Sequence, residues 1–262
     1  MRKSFKFSDS LAFVLGIILI GCLIQAAGWI KGDRLVFPDV PEILRAFFRL
    51  LGTAKTWQMI WTTFRHLLSA MAVSTIIGVI IGLSEGYSDF IHTLLRPLMV
   101  MLRSIPMVVL VVIIMVLTKY ERVPLIATTL LLIPLISEAV CEGFRSIDRD
   151  LIDVYRLCSG FNLQVLLNVH LPLMAGYLKQ AYISAVGMGL KMVVSTEYLV
   201  QTKNSLGKAI NTSIYFNEYE EIYAYALIMI LLVVVISELP QLIIYYKTIN
   251  IRYREYRKKE FP

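Results

Sequence analysis

Six stretches of this chain are apolar over lengths that reach or approach the thickness of a lipid bilayer. They are Leu11–Ile30, Leu67–Glu85, Ile105–Leu117, Pro124–Val140, Leu173–Leu199 and Ile222–Tyr246. A bilayer's hydrocarbon core is about 30 Å thick, so a helix needs about 20 apolar residues to cross it. A backbone in hydrocarbon must also satisfy its own hydrogen bonds, which leaves helices or a closed barrel, and runs this long select helices. The pattern predicts an all-α integral membrane protein with six transmembrane helices. Composition agrees: 57% of residues are hydrophobic and 17% charged, against roughly half and a quarter in soluble domains. Ile105–Leu117 is too short to cross alone, so it must borrow from the helix before it or be broken. Pro134 stands inside the fourth run and must be accommodated by neighbours or by a kink.

Charge sets the orientation. Six spans put both termini on one side, and the tail after the last run carries six Lys or Arg, which places both ends in the cytoplasm. The formal charge of +7 is thus read as topology and headgroup contact, not as nucleic-acid binding, for which no interleaved basic-aromatic patch exists. One stretch opposes this orientation: Lys31 to Arg65 also holds six Lys or Arg and falls outside. Within it, PEILRAFFRLL sets Ile43, Leu44, Phe47, Phe48 and Leu51 against Arg45 and Arg49, the pattern of an interfacial helix. Residues 1–56 thus comprise a first span and an interfacial segment, and residues 57–262 the main transmembrane domain. Leu19–Cys22 has the look of a lipoprotein cleavage box behind a basic start, but an uncleaved first span is the expectation among so many others.

Catalytic signatures do not emerge. There is no GxxxxGK[ST] phosphate loop, and no HExxH, paired-Asp or Ser/His set at membrane depth. Cys22, Cys141 and Cys158 lack CxxC spacing, and His66, His92 and His170 are scattered, so neither a disulfide nor a metal site is expected. Gly78 and Gly82 have small-xxx-small spacing for close helix packing. Ionisable groups inside spans are costly and mark candidate function. Lys191 and Glu197 in the fifth run, with Arg103 before the third, are therefore candidate pathway residues. The competing reading is an interspan ion pair, with Glu138 as a possible partner, and for Arg103 contact with headgroups.

The segment 146–172 is the one long polar-rich stretch between two apolar blocks. Ser146 or Asp148 can cap a helix whose Leu151, Ile152, Val154, Tyr155 and Cys158 share a stripe, opposite Arg149, Asp150, Asp153 and Arg156. Ser159-Gly160 breaks it, Asn162 can cap a second helix, and Pro172 is expected to end that one. A cytoplasmic helix–turn–helix of this kind offers a partner something to grip.

This segment resembles the EAA loop of bacterial binding-protein-dependent ABC-importer permeases. With Leu171-Pro172 as the anchor, Asp153-Val154-Tyr155 stands at the E-A-A position; Ser159 takes the family's glycine position and Gly160 follows it. The likeness extends to Arg65–Ser69 with Ile76–Gly78 and Ile81-Gly82, and to Leu102–Pro106. Met188–Val194 with Thr196-Glu197 is similar to a span-five signature of the importers of nitrate, sulfonates, taurine, bicarbonate and thiamine precursors. The resemblance implies a non-catalytic permease subunit in a bacterial inner or plasma membrane. It implies a second permease copy as homodimer partner, an extracytoplasmic binding protein, and a cytoplasmic ATPase dimer that binds ATP and Mg. No cofactor belongs to this chain. The coupling loop would use Asp150, Asp153, Val154, Tyr155, Arg156, Ser159, Gly160, Leu171 and Pro172, and a small anionic or polar solute is the expected cargo. The alternative is a stand-alone secondary transporter relaying ions through Lys191, Glu197 and Glu138.

Overall fold

The computed structural model describes residues 36, 38–148 and 162–236. The first predicted span, most of the first coupling-loop helix and the basic tail lie outside the described residues. Those described are helical, without strand. The helices are α1 (Val40–Leu51), α2 (Ala54–Tyr87), α3 (Asp89–Ser104), α4 (Met107–Leu117), α5 (Val123–Arg145), α6 (Leu171–Val200) and α7 (Leu206–Tyr215), then α8 (Tyr219–Ile236).

Four of these segments are long and apolar enough to cross a membrane: α2, α5 with its preceding turn, α6 with its preceding turn, and α8. They coincide with the predicted runs two, four, five and six. The short third run is α4, and it joins α3 through a bend of 101°. The sequence explains this break. Pro106 caps α4, and Ile105 before it is held extended (φ −66°, ψ 126°) because the proline ring excludes the helical region there.

α5 is the most buried of the four and lies at the centre. α2 packs along it through Gly78, Gly82 and Gly86, where added Cβ atoms would meet Ile136, the Ser137 carbonyl with Val140, and Phe144. The predicted small-residue face is thus the α2–α5 contact, and it is one residue longer than Gly78 and Gly82 alone. α6 closes against both helices at Gly189, facing Leu67 and Leu132. Meanwhile Ile76 and Ile80 on α2 and Val116 and Leu117 on α4 are more than 60% exposed, an outward apolar surface suited to lipid rather than water.

Residues Asp89–Ser104 form α3, and Leu206–Tyr215 form α7, whose Ser205 hydroxyl accepts the Lys208 N–H (3.2 Å) and whose Leu206 is fully buried. Two expectations are corrected. Pro172 does not end the helix that Asn162 begins. Asn162 Oδ1 does accept the Val165 N–H (2.9 Å), but the chain passes through a π-helical turn at Leu166–His170 and continues as α6. The proline then stands in the first turn of α6, where its ring and missing N–H are tolerated. Finally, α1 buries Ile43, Ala46 and Leu50, while Leu44 and Phe48 point outward. The stripe is rotated from the predicted one.

Candidate functional site

Three groups of side chains bear on function. The first flanks residues 149–161, the middle of the segment expected to couple. α5 ends at Arg145, where Ser146 closes the helix and donates its hydroxyl to the Gly143 carbonyl (2.8 Å). Beyond the segment, Leu171 and Pro172 are exposed at the start of α6, and His170 is buried against the Phe144 ring (4.8 Å, 13°). The two ends of the segment are therefore pinned together by α5 and α6. Asp150, Asp153, Val154, Tyr155, Arg156, Ser159 and Gly160 lie outside the described residues.

The second group surrounds the α3–α4 bend. Arg103, in the last turn of α3, pairs with Glu138 on α5 (2.6 Å) and donates to the Pro134 carbonyl (3.1 Å). Glu138 thus partners Arg103; no ion pair joins it to Lys191 among the described residues. Arg103 and Glu138 are each nearly half exposed, so solvent or headgroups reach the pair. The expected contribution is correspondingly small, up to about 1 kcal/mol. Arg103→Glu should lower thermal stability in detergent by putting two carboxylates together, and the swap Arg103→Glu with Glu138→Arg should recover most of that loss. A double-mutant cycle on melting temperature checks it.

The third group lies on α6. Lys191 is exposed and has no ion-pair partner among the described residues. It shares an open face with Gly176 and Gly187, whose added Cβ atoms would meet nothing within 4 Å. Glu197, nearly two turns further, is fully buried. Its carboxylate accepts from Thr63 Oγ1 (2.8 Å), sits 2.8 Å from His66 Nδ1, and reaches the Gly207 N–H at 3.4 Å. Thr63 Oγ1 in turn accepts the Leu206 N–H (3.1 Å). One carboxylate therefore ties α2, α6 and the start of α7 together. Gly207 is obligatory there, since a side chain would collide with the Val194 carbonyl and Tyr198 amide.

At the same end, a cavity of about 700 Å³ opens between α2, α7 and α8, with Lys55, Lys203 and Lys208 on its wall. Arg49 of α1 closes one side by pairing with Glu221 (2.9 Å) and Glu220 (3.6 Å). Partial desolvation, then the charge of Glu221, push the Glu218 carboxyl above the usual carboxylate range.

Sequence reasoning does not foresee the Glu197 partners, because Thr63 and His66 are more than 130 residues away. Nor does it foresee that Glu85, His92 and Cys141 converge.

Comparison with known proteins bears on this arrangement. Residues 74–246 match the family described as binding-protein-dependent transport system inner membrane component. Among solved structures, the chain is similar to one from the inward-facing MetNI methionine ABC transporter, at 18% identity and a TM-score of 0.59. The alignment covers 72% of this chain and 96% of that one. At that identity the likeness speaks for the fold. No curated protein matches the chain. The matched span runs from α2 through α8 and includes both the bend and the coupling segment. The chain therefore belongs to the family of binding-protein-dependent transport system inner membrane components, the permease subunits of ABC transporters.

Proposed function

We propose that this chain is the permease of an importer: it lines the solute pathway and couples it to a cytoplasmic ATPase through residues 146–172. Family membership over residues 74–246 carries this reading. In an ATP-driven importer, a sequence without a phosphate-binding loop leaves ATP binding to another subunit. The carboxylate face with Asp150 and Asp153, the turn at Ser159-Gly160, and the Leu171-Pro172 anchor form the grip. Val154, Tyr155 and Arg156 complete the surface that enters a groove on an ATPase dimer. ATP and Mg are held there, not here. An extracytoplasmic binding protein delivers a small anionic or polar solute, and the protein sits in a bacterial inner membrane with both termini cytoplasmic.

The open face of α6 is assigned to a second copy and the pathway between the copies. Lys191, the exposed cation on it, would attract an anion; Glu197 anchors that helix from behind, and Arg103 holds the broken third span in place. Alternating access then needs two arrangements of α3–α4 and α6 that the ATPase biases. Two experiments test this. Tagged protein from its native membrane should carry a cytoplasmic ATPase, and the double change Asp153→Arg and Gly160→Pro should release it. Lys191→Glu should keep the ATPase bound yet reduce solute uptake at least about tenfold, the scale expected when an attractive charge is replaced by a repulsive one. Uptake unchanged by Lys191→Glu would remove that residue from the pathway.

A further inference from the structure

We propose that Glu85, His92 and Cys141 form a binding site for a transition-metal ion of the zinc type, placed beside the coupling segment. One ligand atom from each residue lies within 4.8 Å of the other two. Cys141 Sγ and His92 Nδ1 are 4.0 Å apart. In a tetrahedral zinc site, bonds of about 2.0–2.3 Å put such donors about 3.3–3.6 Å from each other. A shift of well under 1 Å for the thiol–imidazole pair thus suffices to close it.

The buried carboxylate is the observation that asks for a cation. Glu85 is 4% exposed, on a helix whose neighbours are apolar. Its carboxylate takes one hydrogen bond, from Ser137 Oγ (2.8 Å), and has no ion pair among the described residues. Arg145 donates to the Glu85 backbone carbonyl (3.0 Å), not to its carboxylate, and pairs with Asp89 (2.7 Å). Buried charges are paired or coordinate metals, and the one partner this carboxylate has among the described residues is the Ser137 hydroxyl. Because Asp89 neutralises Arg145, a divalent ion held by the Glu85 carboxylate and the Cys141 thiolate would leave the site near neutral.

Its donor set also selects the class of ion. Thiolate plus imidazole plus carboxylate suits zinc and its neighbours, not calcium or magnesium, which prefer oxygen. Three protein ligands leave a fourth position for water, and the partly exposed His92 gives access. Rigidity comes from below: Gly82 and Gly86 bring the α2 backbone against Ser137, Val140 and Phe144 on either side of Glu85. His92 sits in the first turns of α3, so a bound ion would fasten α3 to the α2–α5 pair. It would do so one turn before the coupling segment begins. Metal binding would then restrain the element that has to move.

Cobalt(II) is the probe, since its bond to a thiolate gives a near-ultraviolet charge-transfer band. Full-length protein in detergent, with its tag removed and with Cys22→Ser and Cys158→Ser, is titrated with cobalt and then with zinc. One equivalent of cobalt should give the thiolate band, and zinc should remove it. His92→Gln and Glu85→Gln should each weaken binding at least about tenfold, and Cys141→Ser should abolish the band. The same titration on the chain with all three cysteines guards against a background that fails to fold: there Cys141→Ser alone must remove the stoichiometric band. No band, or a band of equal affinity in His92→Gln and Glu85→Gln, overturns the proposal.

Discussion

Gly82→Leu is expected to unfold the helical core rather than merely weaken it. A Cβ at Gly82 overlaps the Ser137 carbonyl and falls 2.7 Å from Val140 Cβ, and both belong to the facing helix α5. Neither is the flexible end of a long side chain, so α2 and α5 must move apart. The whole contact, with Ile136, Val140 and Phe144 in its buried face, is then loosened. Overpacking costs typically about 1–3 kcal/mol, and more when backbones collide; the full leucine belongs at the upper end. The internal control is Gly187→Ala in detergent that holds the protein as a single chain, since a Cβ there meets nothing of this chain within 4 Å. In a helix interior that change gains about 0.5–1 kcal/mol. Melting temperature in detergent should therefore fall sharply for Gly82→Leu, fall moderately for Gly82→Ala, and hold or rise for Gly187→Ala. Equal effects at the two glycines would contradict the assigned packing.

Glu197→Ala should be the second large loss. The carboxylate is fully buried and engages Thr63, His66 and the Gly207 amide. Removing it strands the buried Thr63 hydroxyl and Gly207 amide, each worth about 1–3 kcal/mol, and takes the partner from the part-buried His66 ring. Glu197→Gln keeps an acceptor for Thr63 and should cost less. The loss should be localised: amide hydrogen exchange should accelerate through α7, which depends on the Leu206 N–H to Thr63 bond, while α3 and α4 stay protected. A Glu197→Ala protein with unchanged stability and exchange, but without uptake, would instead make the carboxylate a pathway residue.

Much of this architecture is written in hydropathy. Runs two, four, five and six emerge as α2, α5, α6 and α8 because crossing a bilayer demands apolar residues at nearly every position. The break of the third run is legible for a local reason, the Ile105-Pro106 step. α7 escapes such reading because it is short, polar and buried at only a few positions, Leu206, Gly207 and Ser213. Its Ser205 cap is the available signal. The same applies to the π turn, which lets Pro172 stand at a helix start instead of an end.

Side-chain constellations are less legible than helices. Lys191 and Glu197 stand out as charges inside a span, but nothing local reveals that one faces outward and the other meets Thr63 and His66. Likewise, Glu85 and His92 lie close in sequence while Cys141 is distant, so their convergence depends on how α2, α3 and α5 pack. The coupling segment is the opposite case. Its likeness to the EAA loop rests on residues alone, and Asp153 and Gly160 remain the positions on which the proposed grip rests.

In the proposed function, ATP hydrolysis in a partner drives solute through this chain. The most direct measurement is uptake, in cells, of the solute for which growth fails when the gene is deleted. It is followed with a protonophore while ATP is maintained, and separately with the partner ATPase carrying a substitution of its phosphate-loop lysine. Uptake should survive the protonophore and disappear with the ATPase variant. Uptake that collapses with the gradient and continues without the ATPase would contradict the proposed function, and would leave a stand-alone secondary transporter.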